Sequence, residues 1–375
     1  MTSPDPAPAW FHIDNEAEIA SPALLLYRER IEHNLKLMIQ IVGGDPARLR
    51  PHVKTHKLLQ VVQRQIELGI TKFKCSTISE VEMCAMAGAA DVVLAMPCVG
   101  PGGNRLAELA KKYPQTQFAG IADDEETIRT LASAAQQHNV NLGVFLELDC
   151  GMARTGIVPG EAAAFLVHVI KDTPRLLFRG LHAYDGHIHD AELSVRQEKC
   201  EASYVPILAF KKRLEGEGVI IQEFLAGGSP TFGIHAQHTD RICSPGTTVL
   251  WDFGYGDKLP DLPFLPAAVL LARVISKPGT NRITLDLGHK SVAPEQPHPR
   301  VRFEELPEAV AVMQSEEHLV LETDRAHEFV VGQALHGIPR HVCPTVSMHG
   351  EAVIVEGGRA TQVWPITARN RKITV

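Results

Sequence analysis

The sequence predicts an eight-stranded parallel β/α barrel followed by a smaller β-rich domain. Three observations lead there. Between residues 48 and 250, eight short apolar runs alternate with stretches of helical periodicity, the pattern of parallel strands joined by helical crossovers. Eight such units over roughly 200 residues suit a closed barrel better than an open sheet. The first run ends in His52-Val53-Lys54-Thr55-His56-Lys57, not in the glycine fingerprint that follows the first strand of a dinucleotide-binding sheet.

The elements follow in order. Residues 1–20 are Pro-rich and polar, an arm or an added strand for the β domain. SPALLLY (21–27) reads as a strand, and 28–42 as a helix with Ile31, Leu35, Met38 and Ile39 at helical spacing. The barrel strands are expected at 48–54, 72–77, 91–96, 116–123, 142–149, 176–184, 222–229 and 242–250. Helices are expected between them, among them 57–68, 79–87, 125–138, 160–171 and 190–216. Beyond Leu250 come β-branched runs such as RITLDLG and EAVIVEGG with turn residues between them. The expected boundaries are an arm over 1–20, a barrel over 21–254 and a β-rich domain over 255–375.

Composition narrows the function. The chain has 375 residues, with 37 Lys and Arg against 44 Asp and Glu, for a net charge of −7. That balance argues against a nucleic-acid partner. No apolar run reaches the ~18–20 residues of a membrane span, and the N-terminus has neither the basic start nor the apolar core of a secretion signal. Seven scattered cysteines then read as reduced thiols. The expectation is a cytoplasmic enzyme without membrane contact.

In a barrel, chemistry collects at the C-terminal ends of the strands. The seventh and eighth ends carry Gly227-Gly228-Ser229-Pro230-Thr231 and Pro245-Gly246-Thr247-Thr248. Backbone N–H groups and hydroxyls there suit a phosphate, although an ordinary turn uses the same residues. Lys54 is a lysine at a strand end, flanked by His52. Such a lysine is either an ion-paired side chain or an imine-forming amine. With a phosphate cradle in the same barrel mouth, it points to pyridoxal 5′-phosphate or to an imine-forming phosphosugar enzyme. Arg154 and Tyr184 follow the fifth and sixth strands, where a cofactor's oxygen and ring would need a donor and a wall. His182, His187 and His189 form a cluster of candidate bases or ligands. In the β domain, His341 and Cys343 are two residues apart, which on a strand places them on one face. One imidazole and one thiolate with open positions suit a divalent metal. The thiolate favours zinc, with manganese or magnesium as alternatives. A packed histidine beside a buried cysteine is the plainer reading of the same pair.

Taken together, RPHVKTHK, the GGS stretch and the late HVCPT resemble the D-threonine aldolase and D-serine dehydratase group of pyridoxal-phosphate enzymes, which have the alanine-racemase fold. The resemblance runs from about residue 20 to the C-terminus and rests on the ordered set of motifs. It implies that Lys54 carries the cofactor. It implies cofactor contacts from Arg154 (in Arg154-Thr155-Gly156), Tyr184 (in Ala183-Tyr184-Asp185-Gly186), Gly227, Gly228, Ser229, Thr231, Gly246 and Thr247, with His52 beside the lysine. It implies metal ligation by His341 and Cys343, a D-β-hydroxy amino acid as substrate, and a homodimer. His187 and His189 compete for the family's histidine after the sixth strand and are both candidate catalytic residues. Ser229 stands where a third glycine is frequent. Cys343 stands where the aldolases more often have Asp, which brings the dehydratase reaction in beside the aldol cleavage. A racemase would need a tyrosine base; the last 120 residues contain none, so that base would have to be Tyr255 or an unusual group. A protein that binds the cofactor without catalysis would leave the β domain unexplained.

Overall fold

The computed structural model describes residues 9–375, so part of the expected N-terminal arm (residues 1–8) lies outside the described residues. The chain forms two compact units. One comprises residues 35–248, 258–262 and 367–375; the other comprises the chain up to Asn34 with 249–257 and 263–366.

The strands, in chain order, are β1 (Ala23–Tyr27), β2 (Lys72–Cys75), β3 (Asp91–Leu94), β4 (Gln117–Ala122), β5 (Leu142–Leu148), β6 (Leu176–Ala183), β7 (Glu223–Ala226) and β8 (Ile242–Cys243). They continue as β9 (Ala268–Ser276), β10 (Arg282–Leu285), β11 (Val301–Phe303), β12 (Val310–Gln314), β13 (Leu319–Glu322), β14 (Ala334–Pro339), β15 (Glu351–Glu356) and β16 (Arg359–Pro365).

Strands β2 to β8 form one parallel sheet in sequence order. Residues 49–53 close it. Leu49 bridges Cys243 of β8 and His52 bridges Lys74 of β2, both in parallel sense. The Arg50 and His52 N–H groups donate to the Cys243 and Pro245 carbonyls. On the other side Lys74 N–H donates to Pro51 O, and Val53 N–H to Lys74 O. The expected strand over 48–54 is thus a short closing segment. Pro51 has no N–H to give, which limits its ladder. The expected strand over 242–250 stops at Cys243. Pro245 follows, and the Gly246 and Thr247 N–H groups turn to the Ser229 hydroxyl.

The barrel interior is divided by chemistry. Val93, Ala119, Ile121, Phe145 and Leu225 form an apolar cluster. At the strand beginnings, Arg50 bonds Asp91 and Glu223 at 2.7 Å each, Arg179 bonds Asp91 at 2.6 Å, and Lys72 reaches Glu223 at 2.5 Å. Burial would raise both carboxyls, but the guanidinium and ammonium partners hold them below their usual values.

The other unit is a nine-stranded sheet in which β12-β13-β10-β9-β1-β15-β16 form the path and β14, with β11 beside it, joins β9. Every pairing is antiparallel except β1 with β15. The boundaries therefore differ from those expected. The strand at 23–27, expected in the barrel domain, lies between β9 and β15, and its Leu25 and Tyr27 join the core of Val269, Leu271, Ile338 and Val355. Ile13 and Ile19 pack into the same core, and no strand forms before Ala23 among the described residues. At the other end, residues 367–375 belong with the barrel. Ala368 N–H donates to Lys57 O at 3.1 Å, and Arg105 holds the Val375 carbonyl at 2.8 Å.

The charged floor should dominate acid sensitivity. Its carboxyls bind protons less readily in the folded chain than in the unfolded one. Stability should therefore fall as pH drops through about 4, the range of unfolded carboxyls. Arg50→Met should cost about 3–5 kcal/mol at neutral pH by leaving buried carboxylates short of a partner, and should flatten the acid limb. Urea unfolding followed from pH 8 down to about pH 2, below the range of unfolded carboxyls, measures both.

Candidate active site

The closing segment presents Lys54. After Val53 the chain turns tightly, with Lys57 N–H donating to Val53 O and Lys57 itself at φ 55°. Lys57 is held there by an ion pair with the buried Glu80. Lys54 Nζ lies 5.8 Å from the centre of the Tyr184 ring, and the Arg154 guanidinium carbon lies 4.9 Å from it. Lys54, Tyr184 and Arg154, on three different strand ends, thus meet around one aromatic ring. His52 is buried, and its Nδ1 accepts the Lys54 N–H at 3.3 Å. Burial and the charges of Lys54 and Lys74 push its imidazole well below the usual histidine range.

Arg154 owes its position to a tight loop. Asp149 accepts the Gly151 and Ala153 N–H groups at 2.9 and 3.0 Å, and Gly156 N–H donates to Asp123 at 2.7 Å. Gly156 has φ 102°, and a Cβ there would stand 2.6 Å from Asp149 N, so only glycine closes this loop.

The residues expected at the seventh and eighth strand ends meet one another. Ser229 Oγ accepts N–H groups from Gly246 at 3.1 Å and Thr247 at 3.0 Å. A Cβ on Gly246 would lie 3.0 Å from His52 O, so this turn rests directly on the segment that presents Lys54. Two convergent N–H donors and the Ser229 hydroxyl are groups that suit a phosphate.

Behind the cradle lies a cluster absent from the sequence reading. Asp185 Oδ1 accepts from Thr231 Oγ1 at 2.9 Å, and Asp185 Oδ2 lies 2.7 Å from His235 Nε2. Asp185, Cys200 and His235 are close enough to gather a metal ion, with ligand atoms within 4.8 Å of one another. The hydrogen bonding argues for another use. Arg241 Nη1, which can only donate, is 2.9 Å from His235 Nδ1. His235 therefore carries its proton on Nε2 and donates it to Asp185, leaving no lone pair for a metal. The chain Arg241–His235–Asp185–Thr231 reads as the rigid backing of the loop that runs from Gly227 to Thr231.

Of the two competing histidines, His187 is exposed and faces Gly151 in the loop that carries Arg154; a Cβ there would be 3.6 Å from its Nε2. His189 is exposed, and its Nδ1 lies 3.0 Å from Lys258 Nζ. His182 instead points into the barrel, paired through Nδ1 with the buried Glu147. Its Nε2 accepts from Lys74 Nζ at 3.4 Å. Lys74, Glu147, His235 and Arg241 were not singled out from the sequence. Lys74 carried a signal, a charged residue between the apolar Phe73 and Cys75 on a barrel strand. The others become visible only when distant segments meet.

The pair in the β unit is arranged differently from the expected strand. His341 is the N-cap of a short helix (Val342–Met348), and Cys343 sits in its first turn. The pair nevertheless interacts. Burial opposes the charged imidazole, but hydrogen bonds with Cys343 and Glu295 and the nearby Asp252 raise it to about 9. His341 Nδ1 lies 2.5 Å from Glu295 Oε1, the usual arrangement of a metal-binding histidine oriented by a carboxylate. Asp252 anchors the turn by accepting Val342 N–H at 2.9 Å. An imidazole, a thiol and an orienting carboxylate fit a divalent metal.

The cradle's shape should depend on Gly227. It has φ +70°, and a Cβ there would meet His235 Cδ2 at 2.2 Å. Gly227→Ala should cost about 1–3 kcal/mol from backbone strain, plus the displacement of His235. Gly100→Ala, at φ +53° with nothing within 4 Å, should cost less. Urea unfolding of the two variants tests the difference.

The chain resembles a 3-hydroxy-D-aspartate aldolase of Paracoccus denitrificans, at 29% identity over 95% of this chain and 94% of the relative. It resembles a D-threonine aldolase of an Arthrobacter species at 27% identity, again over 95% and 94%. The crystal structure of the D-threonine aldolase from Filomicrobium marinum superposes with a TM-score of 0.88 at 27% identity, over 97% of this chain and 99% of that one. Residues 267–355 match the putative serine dehydratase domain. Residues 27–251 match the alanine racemase N-terminal domain, and the chain belongs to that family.

Proposed function

We propose that the protein is a pyridoxal-phosphate- and metal-dependent lyase that cleaves D-β-hydroxy amino acids of the D-threonine type to glycine and an aldehyde. The observation that carries this reading is the meeting of Lys54, Arg154 and Tyr184 in the barrel whose Gly246 and Thr247 N–H groups converge on Ser229. The named aldolases over nearly the full length of the chain support it.

Pyridoxal phosphate, when bound, supplies an acceptor for the electron pair left at Cα. Lys54 would hold it covalently, and Ser229, Gly246 and Thr247 would hold its phosphate. Tyr184 would bound its ring, and Arg154 would donate to a ring oxygen. Thr231 and Asp185 keep the loop in shape, and His52 remains neutral beside the lysine. A divalent metal on His341 and Cys343, oriented by Glu295, would supply Lewis acidity. His187 and His189 stand as candidate bases, and His187 is the better placed because it lies over the Arg154 loop.

A second reading, dehydration to a 2-oxo acid and ammonia, is favoured by Cys343 at the second metal position and by the match of its domain to the putative serine dehydratase domain. D-Threonine decides between them. With pyridoxal phosphate and a divalent metal added, the expected products are glycine and acetaldehyde. 2-Oxobutyrate and ammonia would replace the first reading by the second. Lys54→Ala should abolish both the visible absorption of bound cofactor and turnover; an intact band would refute the assignment of Lys54. Glu295→Gln should weaken metal affinity about 10–100-fold while leaving cofactor absorption unchanged, as metal titrations followed by activity and absorbance would report.

A further inference from the structure

Among the described residues, four lysine and arginine side chains are almost fully buried: Arg50, Lys74, Arg196 and Arg241. Arg50, Arg196 and Arg241 each reach a carboxylate within 4.0 Å. Lys74 reaches none. It is 2% exposed, and among the described residues its ammonium has one hydrogen-bonding partner, His182 Nε2 at 3.4 Å. Its ammonium stands 5.4 Å from the centre of the Tyr184 ring, the same ring that Lys54 approaches at 5.8 Å. Two amines therefore lie about one aromatic ring, one on the closing segment and one on the adjacent β2. A lysine serving only to fill space would be replaced at no loss by an apolar residue, and one serving an ion pair would have its carboxylate.

The tautomers along this row are fixed by geometry. His182 donates through Nδ1 to Glu147, so its Nε2 lone pair faces Lys74. Thr155, next to Arg154, donates to the second Glu147 oxygen at 3.2 Å. The row runs Thr155–Glu147–His182–Lys74, from the loop that carries Arg154 to the neighbourhood of Lys54.

We propose that Lys74 is the proton-carrying partner of Lys54, a positioning residue whose Nζ takes up and returns one proton as the group held on Lys54 changes its protonation. The transfer is a proton alone; no electrons are exchanged and no further reactant is required. When Nζ of Lys74 is charged, His182 Nε2 accepts one of its hydrogens and Glu147 compensates the charge through the imidazole. When it is neutral, its lone pair can take up a proton. Its neighbours suit both states. Burial and the charge of Lys54 bring Lys74 down to about 7, with Arg154 acting the same way and Glu147 and Asp185 opposing. His52, kept neutral on the segment beside it, adds no competing charge.

This inference rests on the assignment of pyridoxal phosphate to Lys54, and one titration separates the two. The protein loaded with pyridoxal phosphate, without substrate, is titrated between pH 5 and 10 and followed by visible absorbance and circular dichroism. Wild type should show a band with a pH midpoint. In Lys74→Met that midpoint should rise by about one unit or more, because the loss of a neighbouring positive charge makes protonation at Lys54 easier. Lys74→Arg, with a permanent charge, should keep the midpoint at or below that of wild type. His182→Asn should move it in the direction of Lys74→Met but less, and it decides the matter if Lys74→Met does not fold. An unchanged midpoint in both Lys74→Met and His182→Asn overturns the role of Lys74. A wild-type protein with no band overturns the cofactor assignment itself.

Discussion

The closure of the barrel by residues 49–53 is the constraint on which the site depends. This segment borrows carbonyls from Cys243 and Pro245 on one side and exchanges hydrogen bonds with Lys74 on the other. It therefore fixes three things at once: the end on which Lys54 sits, the turn whose Gly246 and Thr247 N–H groups face Ser229, and the register of β2, which aims Lys74 inward. A slip of one residue would send Arg50 and His52 out of the barrel, because side chains alternate along extended backbone. The segment has few ladder bonds because Pro51 and Pro245 interrupt it. Its hold comes as well from Arg50, whose guanidinium joins two buried carboxylates at the floor.

Much of this was legible in the sequence. The alternation of apolar runs with helical spacing gave the barrel, and the strand-end positions of Lys54 and the glycine-rich stretches marked segments that the fold brings together, because those signals are local. The order of β1 was not legible. ALLLY reads equally well as a barrel strand or a sheet strand, and only its partners, β9 and β15, decide. The final nine residues likewise follow their hydrogen bonds to Arg105 and Lys57, not their sequence neighbours. For His341 and Cys343 the spacing suggested a strand, whereas the backbone turns into a helix at Val342. The pair still interacts because the cap residue and the first turn of a helix are also close neighbours. The row from Thr155 to Lys74 joins three separate stretches of chain, 147–155, His182 and Lys74, and no spacing rule reaches that far.

The interior shows how one barrel handles two kinds of charge. At the floor, Arg50, Arg179 and Lys72 are matched by Asp91 and Glu223, so each charge is compensated and held in one state. At the mouth, Lys54, Lys74 and Arg154 gather around Tyr184 with Glu147 reached only through His182. Compensated charge is inert; undercompensated charge responds to what binds. Lys72 and Lys74 make the contrast within one strand. Two residues apart on the same face, one is clamped by Glu223 and the other is left to an imidazole.

The sealed floor also has a consequence for traffic. With Arg50 fully buried and Asp91 and Glu223 nearly so, the barrel is a blind vessel, closed at one end by interlocked charges. Nothing the size of an amino acid passes through it. Whatever reaches Lys54 enters and departs by the same opening, so arrival and departure compete for one passage, and a compound that lingers there delays everything behind it.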